Sequence, residues 1–251
     1  MTEPASEHGE RVAKAIARAG LCSRREAERW IASGRVAVNG AVLDTPAVAV
    51  GTDDVVTVDG RPLPALEPAR LWRYHKPVGL VTTHRDPEGR PTVFERLPPE
   101  MGRVISVGRL DMASEGLLLL TNDGVLARRL ELPATGWTRR YRARVFGIFD
   151  DRLAAGLAKG VTIDGERFGP VQVRIDRLQA ANSWLTVSLK EGRNREVRRL
   201  LEHIGLTVNR LIRVAYGPFQ LGVLPPGKVA AVPPKVFREQ LGEKPSRSRK
   251  S

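Results

Sequence analysis

Gly108-Arg109-Leu110-Asp111-Met112-Ala113-Ser114-Glu115-Gly116 runs directly into Leu117-Leu118-Leu119-Leu120 and then Thr121-Asn122-Asp123-Gly124. Four consecutive leucines bounded by turn residues read as a strand buried on both faces. A short polar segment just ahead of such a strand puts its single aspartate outside the strand end, where a reactive group can be held and still be reached. An aspartate near glycine is by itself usually a turn residue or a helix cap, so Asp111 becomes a catalytic candidate only through the segments that accompany it.

From Leu71 to about Phe237 the pattern alternates short strands with helices. The expected strands are 71–74, 80–82, 104–107, 117–120, 140–146, 171–177 and 184–189; the expected helices are 125–131, 150–158 and 195–204. Several neighbouring strands are too close in sequence for crossover helices, so the sheet should be mixed and mostly antiparallel, flanked by helices, in an α+β fold. Ahead of it lies a smaller module. Residues 11–19 read as a helix closed by Gly20, and Ser23-Arg24-Arg25-Glu26 is a capping box that opens a second helix ending near Gly34. Asn39-Gly40 between Val36–Val38 and Ala41–Leu43 is a hairpin signal, and Val55–Val58 adds a strand. The expected organisation is a leader over 1–9, an α/β-hairpin module over 10–61, a proline-containing linker over 62–70, the larger domain over 71–237 and a basic, low-complexity tail over 238–251.

The chain has 251 residues, of which 41% are hydrophobic, enough for two cores. Its 41 Lys and Arg against 28 Asp and Glu give a net charge of +13, which points to a polyanionic partner, nucleic acid first. No apolar run reaches membrane-spanning length, and a single cysteine, Cys22, fits a reducing cytoplasm. The four histidines have no metal-ligand spacing. No metal or cofactor is expected, and monomer is the default oligomeric state.

Three further segments carry chemistry. In Arg139-Arg140-Tyr141-Arg142-Ala143-Arg144-Val145-Phe146, alternation sends Tyr141, Ala143 and Val145 to one side of a strand and the arginines to the other. In Glu191-Gly192-Arg193-Asn194-Arg195-Glu196-Val197-Arg198-Arg199-Leu200-Leu201, Asn194 can cap a helix whose core stripe is Val197, Leu200, Leu201 and Ile204, leaving Arg195, Arg198 and Arg199 off that stripe. Basic residues one turn apart recur on both N-terminal helices, Lys14 with Arg18 and Arg25 with Arg29. Solvated helix faces and surface pairs are the ordinary fate of such charges.

The stretch from Val107 to Gly124 resembles the active-site segment of the RsuA/RluB family of ribosomal-RNA pseudouridine synthases, and Asp111 falls on that family's catalytic aspartate. Leu21–Glu28 and Gly34–Gly40 are similar to the small RNA-binding domain named after ribosomal protein S-four. The resemblance covers roughly residues 10–235 and implies that Tyr141 stacks on the target base. It also implies that Arg198 pairs with the catalytic carboxylate, which would hold and aim it. Lys14, Arg18, Arg24, Arg25, Arg29, Arg90, Arg109, Arg193, Arg195 and Arg199 are then candidate RNA contacts. Lys76-Pro77-Val78-Gly79 and Asp86–Phe94 also look like family segments, and Arg210–Pro218 like a scaffolding strand and turn. The implied substrate is 23S rRNA or a large-subunit precursor. The alternatives are 16S rRNA, or a noncatalytic RNA-binding or ribosome-assembly factor, which would not need Asp111, Tyr141 and Arg198 together.

Overall fold

A computed structural model describes residues 9–132, 136–178 and 182–240. Most of the expected leader (1–8) and of the basic tail (241–251) lies outside the described residues. The chain forms two compact units, one running through Ala69 with 99–104 and 122–124, the other made of 70–98, 105–121 and the chain from Val125 onward. None of the described helices is long and apolar enough to cross a membrane.

The first unit contains β1 (Glu10–Arg11), α1 (Val12–Arg18), α2 (Arg24–Ala32), β2 (Val36–Val38), β3 (Ala41–Val42), β4 (Ala49–Val50), β5 (Val56–Val58) and β6 (Arg61–Pro62). The Ser23 hydroxyl accepts the Glu26 N–H at 3.1 Å and so starts α2, which ends at Ser33 ahead of a left-handed Gly34. Val12, Ile16, Ala27 and Ile31 pack with Val36, Val50, Val56 and Val58 into a small core. Asn39 and Gly40, with φ of 51° and 84°, make the two-residue turn between β2 and β3. The sheet order is β3-β2-β5-β6. Pro62, expected at the start of the linker, instead pairs with Thr57, beside Arg61 with Val58, because Asp59-Gly60 turns the chain back on itself.

The second unit is built on a nine-stranded sheet. Its strands are β7 (Leu71–Lys76), β8 (Ile105–Val107), β9 (Glu115–Thr121), β10 (Arg139–Phe146), β13 (Val171–Arg177), β14 (Asn182–Leu189), β15 (Thr207–Tyr216), β16 (Phe219–Gln220) and β17 (Val229–Val232). A separate hairpin joins β11 (Val161–Ile163) to β12 (Glu166–Phe168), and the helices are α3 (Gly124–Glu131), α4 (Asp151–Leu157), α5 (Glu196–His203) and α6 (Pro234–Gln240). The main path runs β13-β14-β10-β15-β9-β7-β17, and within it only β9 and β15 run parallel. That is the mixed, mostly antiparallel sheet the strand spacing requires. Leu117 to Leu120 are wholly buried, as a strand covered on both faces must be.

Three local readings need correction. Leu80–Thr82 is not a strand; a single bridge, Val81 to Thr92, is all that forms, because this loop also has to hold the segment around Asp111. Asn194 does not cap α5. Arg195 takes the cap position in the left-handed region, φ 47°, and the Glu196 carboxylate accepts the Arg193 N–H at 2.8 Å. The end of α6 reaches Gln240, past the point where the tail was expected to begin, since Phe237 is buried and anchors it.

Candidate active site

The loop before β9 is fixed through its own carbonyls. Thr82 Oγ1 donates to Leu110 O at 2.8 Å, the Ser114 N–H to Asp111 O at 3.0 Å, the Gly79 N–H to Met112 O at 2.8 Å, and Arg198 Nη2 to Ala113 O at 3.0 Å. Lys76, at the end of β7, has no exposed surface. Its ammonium donates to Pro77 O, Asp111 O and Ser114 O at 3.0, 3.0 and 2.8 Å. Each carbonyl from Leu110 to Ser114 therefore has a donor. A loop that would otherwise be free is held by hydrogen bonds from three directions, and the Asp111 side chain is left to face the cavity.

That cavity encloses about 500 Å³, within the size range of small-ligand sites. Asp111 and Arg109 form one side; Tyr141, Leu189, Leu211 and Arg213, from the inward positions of β10, β14 and β15, form the floor. The N-terminal turn of α5, Arg193 to Val197, closes another side. A second cavity of about 280 Å³ adjoins it, sharing Arg109, Leu110, Asp111 and Asn194 and bounded by Arg85, Asp86 and Arg90. Asp111 and Tyr141, well separated in sequence, line the same space because β10 and the loop before β9 flank the parallel seam of the sheet.

Arg198 differs from expectation. It is buried rather than turned to solvent, donates to Val208 O at 2.8 Å as well as to Ala113 O, and makes no hydrogen bond or ion pair with Asp111. The reason is geometric: the loop presents a carbonyl toward α5, and the guanidinium takes it. Burial pulls the Arg198 pKa down, Arg195 adds to this, and the nearby charge of Asp111 opposes it. Arg198 thus reaches the Asp111 loop through its backbone, at Ala113 O, and feels the Asp111 charge without touching the carboxylate.

The candidate RNA contacts fall into two groups. Lys14 and Arg18 both reach Glu10, Arg29 pairs with Glu26, Arg90 with Asp86 and Glu88, and Arg193 and Arg199 share Glu166. The exposed pair of Arg29 with Glu26 is worth little, whereas Asp86 is largely covered and accepts from both the backbone and the guanidinium of Arg90. Arg24, Arg25, Arg109 and Arg195 are exposed and have no ion pair among the described residues.

Four residues outside the sequence reading complete the site. Lys76 is one. Glu196 is buried, with one oxygen accepting the Arg193 N–H and the other without a hydrogen-bond partner among the described residues; burial pushes its pKa up. Arg213 is buried, donates from Nε to Leu117 O at 2.7 Å and lies against the Tyr216 ring. The Tyr216 hydroxyl donates to Leu130 O and accepts from Arg139 Nη2. Alternation along 207–216 would have turned Arg213 inward, and alternation from Trp72 and Tyr74 would have turned Lys76 inward as well.

The comparisons with known proteins agree with one another. Residues 70–203 match the model of the RNA pseudouridylate synthase family, and residues 10–56 match the S4 domain. The chain belongs to the RNA pseudouridylate synthase family. It is 49% identical over 229 residues, 91% of this chain and 99% of the relative, to a protein of Rickettsia bellii (strain RML369-C) named as an uncharacterized RNA pseudouridine synthase. It is 46% identical over 222 residues to the ribosomal large subunit pseudouridine synthase B of Yersinia pestis, with 85% of this chain and 69% of that protein covered. A solved pseudouridylate synthase structure superposes with a TM-score of 0.65 at 25% identity, covering 92% of this chain and all of the other. The synthase fold is the second unit, and the S4 domain lies in the first.

Lys76 should give the synthase a pH dependence. Burial pulls its pKa down to about 8, although Asp111 and Glu115 act in the opposite direction. Below that value the ammonium brings three donors to the loop carbonyls; above it, one is lost and a carbonyl is left without its partner. The single-turnover rate is therefore expected to fall on the alkaline side with an apparent pKa of about 8. Lys76→Met should be slower at neutral pH and lack that limb. A wild-type rate that does not change between about pH 7 and 9.5 would rule this out.

Proposed function

We propose that this synthase converts one uridine of 23S rRNA to pseudouridine, with Asp111 at the centre of the reaction. In that isomerisation the bond from ribose C1′ to N1 breaks, the uracil turns, C5 bonds to C1′, and the proton leaving C5 is balanced by one gained at N1. Atoms and electrons balance within the nucleotide, so the chemistry calls for neither redox cofactor nor metal. A carboxylate suits it either as nucleophile at the sugar or as base toward a sugar proton, because both roles end with the carboxylate regenerated.

The observation that carries this reading is that Asp111 opens into a cavity whose floor holds Tyr141 and whose rim is rich in arginine. A uridine can enter only by leaving its stack, and the Tyr141 ring supplies a flat surface to offset the stacking lost. Arg109, Arg193 and Arg195 are placed to take the phosphates on either side, while Lys76 and Arg198 keep the loop in place. The basic helix faces of the S4 domain add affinity and set register. The large-subunit assignment rests on the likeness to the Yersinia pestis protein.

Mapping pseudouridines in rRNA from cells with and without the gene tests the assignment. One 23S position should lose its modification and regain it when the gene is restored. Loss confined to 16S rRNA, or no loss, would sink the target named here.

A further inference from the structure

The strand that supplies Tyr141 to the cavity presents a different surface on its other side. Arg140, Arg142, Arg144 and Phe146 occupy the outward positions of β10, and all four are exposed. The register places Arg142 opposite Thr186 and next to Ile212, and Arg144 opposite Trp184 on one side and Arg210 on the other. Across β14, Thr186 faces Arg174 of β13. Arg177 of β13 stands opposite Trp184, so six arginines share one face of the four strands β13, β14, β10 and β15, whose sequences contain a single acidic residue, Asp176.

That carboxylate is fully engaged. It accepts the Thr186 hydroxyl and is shared by Arg142, at 3.3 Å, and Arg174, at 3.7 Å. Arg210 reaches Glu115. Arg140 and Arg144 have no acidic partner among the described residues, and Arg144 sits directly across from Arg210. Arg140 and Arg144 thus leave positive charge on the face that no described carboxylate neutralises, which suits it to a polyanion. Residues two apart on a strand advance about 6.8 Å, which sets Arg140, Arg142 and Arg144 in a row of fixed positive charges. The Arg142 guanidinium lies 4.7 Å from the Trp184 ring, which holds it flat against the sheet. At the end of the row the Phe146 ring is 54% exposed, an aromatic surface beside a phosphate track.

We propose that this outer sheet face is a second RNA-docking surface, which binds the sugar-phosphate backbone of a segment of the substrate RNA away from the nucleotide in the cavity. It rests on the reading that the substrate is a large RNA. Since Arg140, Arg142 and Arg144 point away from the side that carries Tyr141, the face contributes affinity for long RNA and not to the conversion step.

The test uses the full chain carrying Arg140→Gln with Arg144→Gln, the two arginines of β10 on this face whose removal strands no acid. Binding to a full-length 23S rRNA transcript is measured over a range of salt, beside pseudouridine formation at saturating protein. Each lost phosphate contact should lower the slope of log K against log salt by about 0.7 to 0.9. The expected result is a slope shallower by about 1.5, affinity about tenfold weaker at physiological salt, and saturated conversion within about twofold of wild type. Arg140→Lys with Arg144→Lys should return most of the slope, which shows that charge and not folding is at issue. Unchanged slope and affinity in the glutamine variant would overturn the proposal and leave the face to some other acidic partner. If wild type forms no pseudouridine in the transcript, the target reading fails while the salt slopes still decide the face.

Discussion

Asp111→Asn should reduce pseudouridine formation by at least about a thousandfold, a loss of about 4 kcal/mol in transition-state stabilisation, while RNA affinity stays within about threefold of wild type. The two readouts separate because the loop is held by its main chain. The donors from Thr82, Gly79, Lys76, Ser114 and Arg198 all end on carbonyls, and none of them touches the Asp111 carboxylate. Asparagine keeps the size and shape of the side chain, so the cage of donors has no reason to move. What disappears is a group able to attack carbon or take a proton. Single-turnover assays at saturating enzyme, with filter binding of the same RNA, give both numbers. A variant that converts RNA at the wild-type rate would remove Asp111 from the chemistry, and a parallel collapse of affinity would show that the carboxylate organises binding instead.

Gly116→Ala is expected to destabilise the second unit by about 3–5 kcal/mol, enough to lower the melting temperature by roughly 10 °C or prevent accumulation of folded protein. Gly116 lies on β9 with φ of 105°, a conformation costly for a residue with a side chain. A Cβ there would also fall 2.7 Å from the Arg213 nitrogen and closer still to its carbonyl oxygen. Both are backbone atoms, held in place by the parallel pairing of Gly116 with Arg213. Neither can move without separating β9 from β15. Gly108 offers the contrast: its φ is 65°, but no atom lies within 4 Å of the place a Cβ would occupy. Gly108→Ala should therefore cost only the conformational part, about 1 kcal/mol. Equal melting temperatures for the two variants would show that the close approach at the seam carries no strain.

Much of this architecture can be read from the sequence because its signals are periodic or local. The leucine run announces a strand buried on both sides, the Ser23-to-Glu26 box starts a helix, and Asn39-Gly40 turns a hairpin, each for a reason contained within a few residues. Asp111 and Tyr141 are legible through resemblance, since their spacing alone does not show that they meet. The remainder depends on partners distant in sequence. Alternation from Trp72 and Tyr74 turns Lys76 inward, but the carbonyls that satisfy its ammonium come from a loop 35 residues later, which no pattern in β7 records. Arg198 gives up a carboxylate for a carbonyl because of how the loop is turned toward α5. Arg195 takes the helix start from Asn194 in the left-handed region and supplies no side-chain cap, while the Glu196 carboxylate accepts the Arg193 amide ahead of the helix; no local sequence signal marks either arrangement.

β10 imposes one more constraint. Its odd-numbered residues from Tyr141 face inward, Tyr141 to the cavity floor and Ala143 and Val145 to the core, and its even-numbered residues from Arg140 build the cationic face. Slippage by a single position, or insertion of one residue, would exchange the two sets at once: guanidinium groups would be driven into the apolar interior and the phenol into water. The strand consequently has no tolerance for frame errors, and the two surfaces can be tuned residue by residue but never shifted independently of each other.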